Sequence, residues 1–157
     1  MTDKQILLIE DNADDRDLTI RALKKSNVPN PVAVARDGDE ALTMLLGNGR
    51  GGQSLPVLIL LDLNMPKVDG FEVLRRIRAD PRTRVVPVVI LTSSIAEDDL
   101  RSVYDLGANG YVRKPIEPSK FTEVINAVSL FWLLFNESPP EPKSLSTDLR
   151  DGRTRRG

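Results

Sequence analysis

"LILLDLNMPKVDG" spans Leu58 to Gly70. Four apolar residues lead without interruption into Asp62, and Asn64, Met65, Pro66 and a turn at Asp69-Gly70 follow. A continuous apolar run of this length suits a strand buried on both faces, as in a parallel sheet covered by helices. A carboxylate where such a strand stops is held rigidly at the mouth of a core. A solubilising acid needs no such placement.

Four more short apolar runs recur, Ile6–Ile9, Val32–Ala35, Val88–Leu91 and Tyr111–Val112, all but the last continuous in the same way, with the quoted strand reading as Val57–Leu61. Stretches with helical spacing lie between them. Asp69-Gly70 opens a helix carrying Phe71, Val73, Leu74 and Ile77, which stops before Asp80-Pro81. Ser94 and Glu97 read as a capping box for a helix bearing Leu100, Val103, Tyr104 and Leu106, with Gly107 placed to end it. A last helix from about Pro118 sets Phe121, Val124, Ile125, Val128, Phe131 and Phe135 on one stripe. The order is β-α five times over, so right-handed crossovers predict an α/β, doubly wound fold with helices on both faces of a parallel sheet. The segment Gly47–Ser54, with four glycines in eight residues, is a loop before the third strand.

Composition narrows the chemistry. The chain has 157 residues, 40% apolar and 29% charged, the make-up of one ordinary domain. Residues 1–136 read as that domain, and the proline- and charge-rich 137–157 as a disordered tail. A net charge of −1 offers no global field for nucleic acid or membranes. Absence of cysteine and histidine removes disulfides, thiol nucleophiles, ordinary zinc sites and a histidine general base. The start, MTDKQILLIEDN, is not a secretory signal, and the longest apolar run, Leu130–Phe135, has six residues. A bilayer span needs roughly 18. A cytoplasmic protein is the expectation.

In open parallel sheets, ligands collect at the carboxyl ends of strands near a switch in strand order. There the sequence places Glu10 and Asp11, Asp62, Thr92 with Ser93, and Lys114 before Pro115. Three carboxylates this close repel one another, and a divalent cation with Lys114 would balance them. Carboxylates, a backbone carbonyl and waters are hard oxygen ligands suited to Mg²⁺. A metal and an ammonium beside a carboxylate are also what phosphoryl transfer to that carboxylate requires. Each residue alone has a plainer reading: Asp62 as a turn residue, Glu10-Asp11-Asn12 as a helix cap, Thr92 as a strand residue, Lys114 as a solvated one. Four strand ends with complementary chemistry have no such plain reading.

These residues resemble the receiver domain of two-component response regulators. The matching stretches are "LLIEDN" (7–12), "ILLDLNMPKVDG" (59–70), "PVVILTSS" (87–94) and "GYVRKP" (110–115), within about residues 4–135. The resemblance implies a flavodoxin-like sheet in the order 2-1-3-4-5. It implies Asp62 as phosphoacceptor, with Mg²⁺ held by Asp11, Asp62, the Asn64 carbonyl and, through water, Glu10. Thr92 and Lys114 would hold the phosphoryl group, and Lys114-Pro115 would be a cis peptide. Tyr111 matches the aromatic whose rotamer follows Thr92, altering the face made by the fourth helix, fifth strand and fifth helix. The donor in the family is a phosphohistidine, which this histidine-free chain must find on a sensor kinase. With 22 residues after Phe135, the expectation is a stand-alone receiver without a DNA-binding output domain.

The segment Ser129–Phe135 adds a further expectation. One face can bury Phe131 and Phe135 on the sheet, while Leu130, Trp132, Leu133 and Leu134 surround the helix, and such an end wants a second surface. The alternative is a locally thick core. This ending resembles small single-domain receivers paired with phytochrome-type histidine kinases, which implies a homodimer using Phe131, Trp132, Leu133 and Phe135. A phosphatase of the haloacid-dehalogenase type also phosphorylates a strand-end Asp beside Mg²⁺. It needs an acid two residues later for proton transfer, where this chain has Asn64.

Overall fold

The structure is a computed structural model that describes residues 4–26, 28–47, 55–93, 96–114 and 117–140. Five strands, β1 (Ile6–Ile9), β2 (Val32–Ala35), β3 (Leu58–Leu61), β4 (Val88–Thr92) and β5 (Gly110–Arg113), form one parallel sheet. Their order is β2-β1-β3-β4-β5. Helices α1 (Ala13–Lys25), α2 (Gly38–Leu46), α3 (Gly70–Ala79), α4 (Glu97–Asp105) and α5 (Pro118–Ser129) connect or follow them. A π-helical turn, Leu130–Phe135, extends α5.

The period-two geometry of strands explains why the apolar runs are unbroken. Leu7, Ile9, Ile59, Leu61, Val88 and Ile90 point to one core with Leu42, Leu45, Val73, Leu74, Ile77 and Val103 from α2, α3 and α4. Ile6, Leu8, Leu58, Leu60, Val89 and Leu91 point to the other, with Ala22, Leu23, Phe121 and Ile125 from α1 and α5. A polar residue within any of these three strands would be buried without water. The doubly wound architecture expected from the sequence is therefore the observed one.

Local signals mostly hold. Asp69 caps α3, its carboxylate accepting from the Glu72 N–H at 3.0 Å. Gly107 (φ +103°) ends α4 as a glycine can: its N–H donates to Tyr104 C=O, and the Ala108 N–H reaches back to Val103 C=O. A side chain at Gly70 would set its Cβ 2.4 Å from the Asp62 carbonyl oxygen, so glycine lets α3 start directly against the end of β3.

Two expectations need correction. The capping box at Ser94 is not the start of α4. The cap position is Ala96, which makes no side-chain cap bond, and Glu97, Asp98 and Asp99 supply negative charge to the first turn instead. Ser94 itself lies outside the described residues. Of that helix's apolar stripe only Val103 is buried, while Leu100 and Tyr104 are exposed. Secondly, Phe131 and Phe135 do not bury on the sheet; they are 51% and 73% exposed. Trp132 and Leu133 turn inward in their place. Phe131 lies ten residues after Phe121, already about 80° off the direction of Phe121 at 3.6 residues per turn, and beyond it the chain is π-helical, the Asn136 N–H donating to Phe131 C=O, five residues back, at 2.7 Å. Each residue then advances by less than the α-helical angle, and the stripe set by 3.6-residue spacing rotates off the core.

At the opposite edge of the sheet one guanidinium gathers several segments. Arg78, at the end of α3, donates to the carbonyls of Gly107, Arg84 and Val86 and to Asn109 Oδ1, all at 2.8–2.9 Å. Asn109 Oδ1 also accepts from the Val88 N–H that begins β4. Residues 137–140 are exposed and without regular structure, and the rest of the expected tail is outside the described residues. Among the described residues no helix is long and apolar enough to cross a membrane.

Candidate functional site

Register brings the acids together. β1 and β3 pair Ile9 with Leu61, so Glu10 and Asp62 leave the sheet side by side, and the Asp62 N–H donates to Ile9 C=O at 3.1 Å. This is the crevice beside the switch in strand order, where β1 lies between β2 and β3. One carboxylate oxygen each from Glu10, Asp11 and Asp62 lies within 4.8 Å of the others. Glu10 and Asp62 are buried, and Asp11 is half-buried.

Thr92 ends β4 fully buried, one strand over from Asp62. Asn64 links the two: its N–H approaches Asp62 Oδ1 and its Nδ2 approaches Thr92 Oγ1, each at 3.4 Å. Lys114 follows β5, its backbone N–H fixed on Thr92 C=O at 2.8 Å. Tyr111 pairs with Ile90 in β5 and is half-buried against the α2–α3–α4 core. The cis peptide expected at Lys114-Pro115 lies outside the described residues, because Pro115 is among those not described.

The ammonium of Lys114 reaches the acids, as the sequence suggested, but lies nearer to two other carboxylates than to Asp62. Lys114 Nζ is 3.8 Å from Asp62 Oδ2, but 2.6 Å from Glu10 Oε1 and 2.9 Å from Asp15 Oδ2. Burial pushes the Glu10 carboxyl up to about 7; Lys114 pulls it back and the Asp62 charge pushes it further. Burial also draws the Lys114 ammonium down, but the hydrogen bonds it donates to Glu10 and Asp15 and the nearby Glu10 and Asp62 charges reverse this, leaving it above its ordinary value. A buried glutamic acid whose proton affinity is raised by burial and by a neighbouring carboxylate sits where positive charge is wanted. Hard oxygen donors in that arrangement fit a divalent cation.

Sequence reading missed Asp15 and Arg16. Both lie in the first turn and a half of α1, whose cap is Asn12: its Oδ1 accepts from the Asp15 N–H at 2.9 Å. Arg16 Nη1 donates to the backbone carbonyls of Glu10 and Asp11, at 3.0 and 2.8 Å, and so holds the turn that carries two of the acids. The spacing Asn12-x-x-Asp15 was a signal for the first of these.

The family model described as response regulator receiver domain matches residues 6–126. The chain belongs to that family. The receiver is 41% identical over 134 residues to the probable methanogenesis regulatory protein FilR2 of Methanothrix harundinacea, covering 85% of this chain and 86% of that one. It superposes on the phosphorylated cyanobacterial phytochrome response regulator RcpA with a TM-score of 0.82 and 43% identity, over 88% of this receiver and 100% of RcpA. The Mn²⁺-bound form of Rcp1 gives a TM-score of 0.79 and 37% identity, over 87% and 99%. The expected 2-1-3-4-5 receiver fold is thus the fold of the family. Receivers are phosphoacceptor switches served by histidine kinases, not metabolic catalysts. The acidic cluster of this receiver suits a divalent metal, as bound in Rcp1.

Proposed function

We propose that Asp62 is the phosphoacceptor and that Mg²⁺ is the physiological ion. The observation that carries this is the convergence of Glu10, Asp11 and Asp62 within 4.8 Å, with the Lys114 ammonium 3.8 Å from Asp62. An Asp62 carboxylate oxygen attacks phosphorus of a phosphohistidine on a sensor kinase. The P–N bond breaks, its electron pair returns to the imidazole nitrogen, and that nitrogen picks up a proton. Lys114 and the Thr92 hydroxyl hold the phosphoryl oxygens. Asp11 and Asp62, with the Asn64 carbonyl and Glu10 mostly through water, would hold Mg²⁺, which when bound neutralises charge on the transferred group. Slow hydrolysis of the aspartyl phosphate resets the switch. Incubation with Mg²⁺ and acetyl phosphate adds one phosphate by intact mass. Chelating the metal or making Asp62→Asn removes the addition, and undiminished uptake in Asp62→Asn would refute the assignment.

On phosphorylation Thr92 moves toward the phosphoryl group and Tyr111 turns into the space it leaves, changing the α4–β5–α5 face. Exposed Leu100 and Tyr104 on α4 give that face apolar ground for a protein partner. Likeness to the phytochrome response regulator RcpA supports a phytochrome-type kinase as donor. Exposed Phe131 and Phe135, beside Trp132 and Leu133 that pack partly on the core, support a homodimer through the end of α5. Sedimentation at micromolar concentration is expected to show a dimer that Phe135→Glu converts to monomer. A monomeric parent protein would count against it.

A further inference from the structure

Lys114 is shared among three carboxylates, and the one it must serve is the most distant. Its nitrogen lies 2.6 Å from Glu10, 2.9 Å from Asp15 and 3.8 Å from Asp62. The hold of Glu10 belongs to the acid cluster already described. That of Asp15 does not.

Asp15 is the third residue of α1, behind the cap residue Asn12. In a reciprocal cap the side chain at this position turns back to the N–H of the cap residue. Here Glu10 Oε2 stands 3.3 Å from the Asn12 N–H and accepts from it. The Asp15 carboxylate reaches Lys114 instead, across 99 positions of sequence. Its backbone is fixed at both ends: the N–H donates to Asn12 Oδ1 at 2.9 Å, and the carbonyl accepts from Thr19 Oγ1 at 2.8 Å. The carboxylate is therefore presented by a rigid helix rather than by a mobile loop. Its side chain is 40% exposed whereas that of Asp62 is 8%, so Asp15 offers the ammonium a partner nearer solvent than the buried carboxylate at 3.8 Å.

We propose that Asp15 is a positioning residue that parks Lys114 off Asp62 and so restrains phosphoryl transfer. The inference rests on Asp62 being the phosphoacceptor. With an acyl phosphate as donor, an Asp62 oxygen forms a bond to phosphorus while the donor's P–O bond breaks, and the electron pair leaves on the donor carboxylate. The equatorial oxygens need Lys114 during that step. An ammonium held 2.9 Å from Asp15 must loosen that contact to supply it. Asp15 thus competes with the phosphoryl group for one cation.

The test compares the full chain with Asp15→Asn, Asp15→Glu and Asp17→Asn at saturating Mg²⁺. Asp17 lies on the same helix and is exposed, so it controls for net charge. Phosphate uptake from acetyl phosphate is followed by intact mass, and binding of fluoroberyllate, a phosphoryl mimic, by calorimetry. Asp15→Asn is expected to take up phosphate about fivefold faster and bind fluoroberyllate about fivefold more tightly, the size of a partly exposed ion pair. Asp15→Glu restores parental values, and Asp17→Asn stays at them. Uptake in Asp15→Asn at or below the parental rate overturns the inference, as does an equal gain in Asp17→Asn. No uptake by the parent protein overturns the Asp62 assignment and this inference with it.

Discussion

Asp62→Asn is expected to unfold at a higher urea concentration than the parent protein in the absence of metal, while accepting no phosphate. Asp62 adds to the burial that pushes Glu10 to about 7, so the two acids oppose each other inside the fold. Removing one charge relieves that repulsion by about 1–2 kcal/mol near neutral pH. The pH dependence identifies the source. Glu10 has a carboxyl pKa of 4.5 in the unfolded chain and about 7 in the fold. Between those values the native state keeps a proton that the unfolded chain has released. Stability of the metal-free protein therefore falls as pH rises from about 4.5 to about 7, and levels off above. In Asp62→Asn the fall is shallower. Saturating Mg²⁺ reverses the order of the two proteins, because only the parent site has its full set of ligands. Equal urea midpoints at pH 7.5 without metal would sink this account.

Lys114→Met is expected to cut phosphate uptake about a hundredfold, the usual loss when a positioned cationic or hydrogen-bond donor is removed from a site of developing charge. Its effect on stability is bounded by Glu10. Stripped of the ammonium, a carboxylate only 1% exposed does not remain charged; it takes up a proton. The variant is therefore destabilised by about 1–3 kcal/mol at pH 8, where protonation is unfavourable, and by much less at pH 5. Urea midpoints at the two pH values decide it. A loss that is the same at both would mean that Lys114 supports the fold by packing rather than by charge.

The sheet was legible because burial on two faces leaves a plain mark: strands such as Ile6–Ile9 and Leu58–Leu61 contain no polar residue. The acids were legible for a related reason, since a charge directly after such a strand can only emerge at its end. Asp15 was harder to find, because its partner Lys114 follows β5, 99 positions away in sequence and three strands over from β1, so only tertiary placement brings the two together. The outward Phe131 was misread because its spacing from Phe121 falls off the stripe even in a regular helix, and Phe135 because a π turn breaks the 3.6-residue spacing before it. Ser94 looked like a cap from its spacing to Glu97, yet the helix begins behind Ala96, with acidic residues in its first turn and no cap side chain.

The guanidinium of Arg78 pins the loop that follows α4 and the residue before β5 to the end of α3, at the edge of the sheet away from the acids. A beam clamped at one end deflects most at its free end. Under the switching proposed above, β5 and the end of α4 would be held at this point, so a small pull at the Thr92 tip is expected to become a larger swing of the surface beyond it. Slackening the clamp would let the same pull dissipate as loose play.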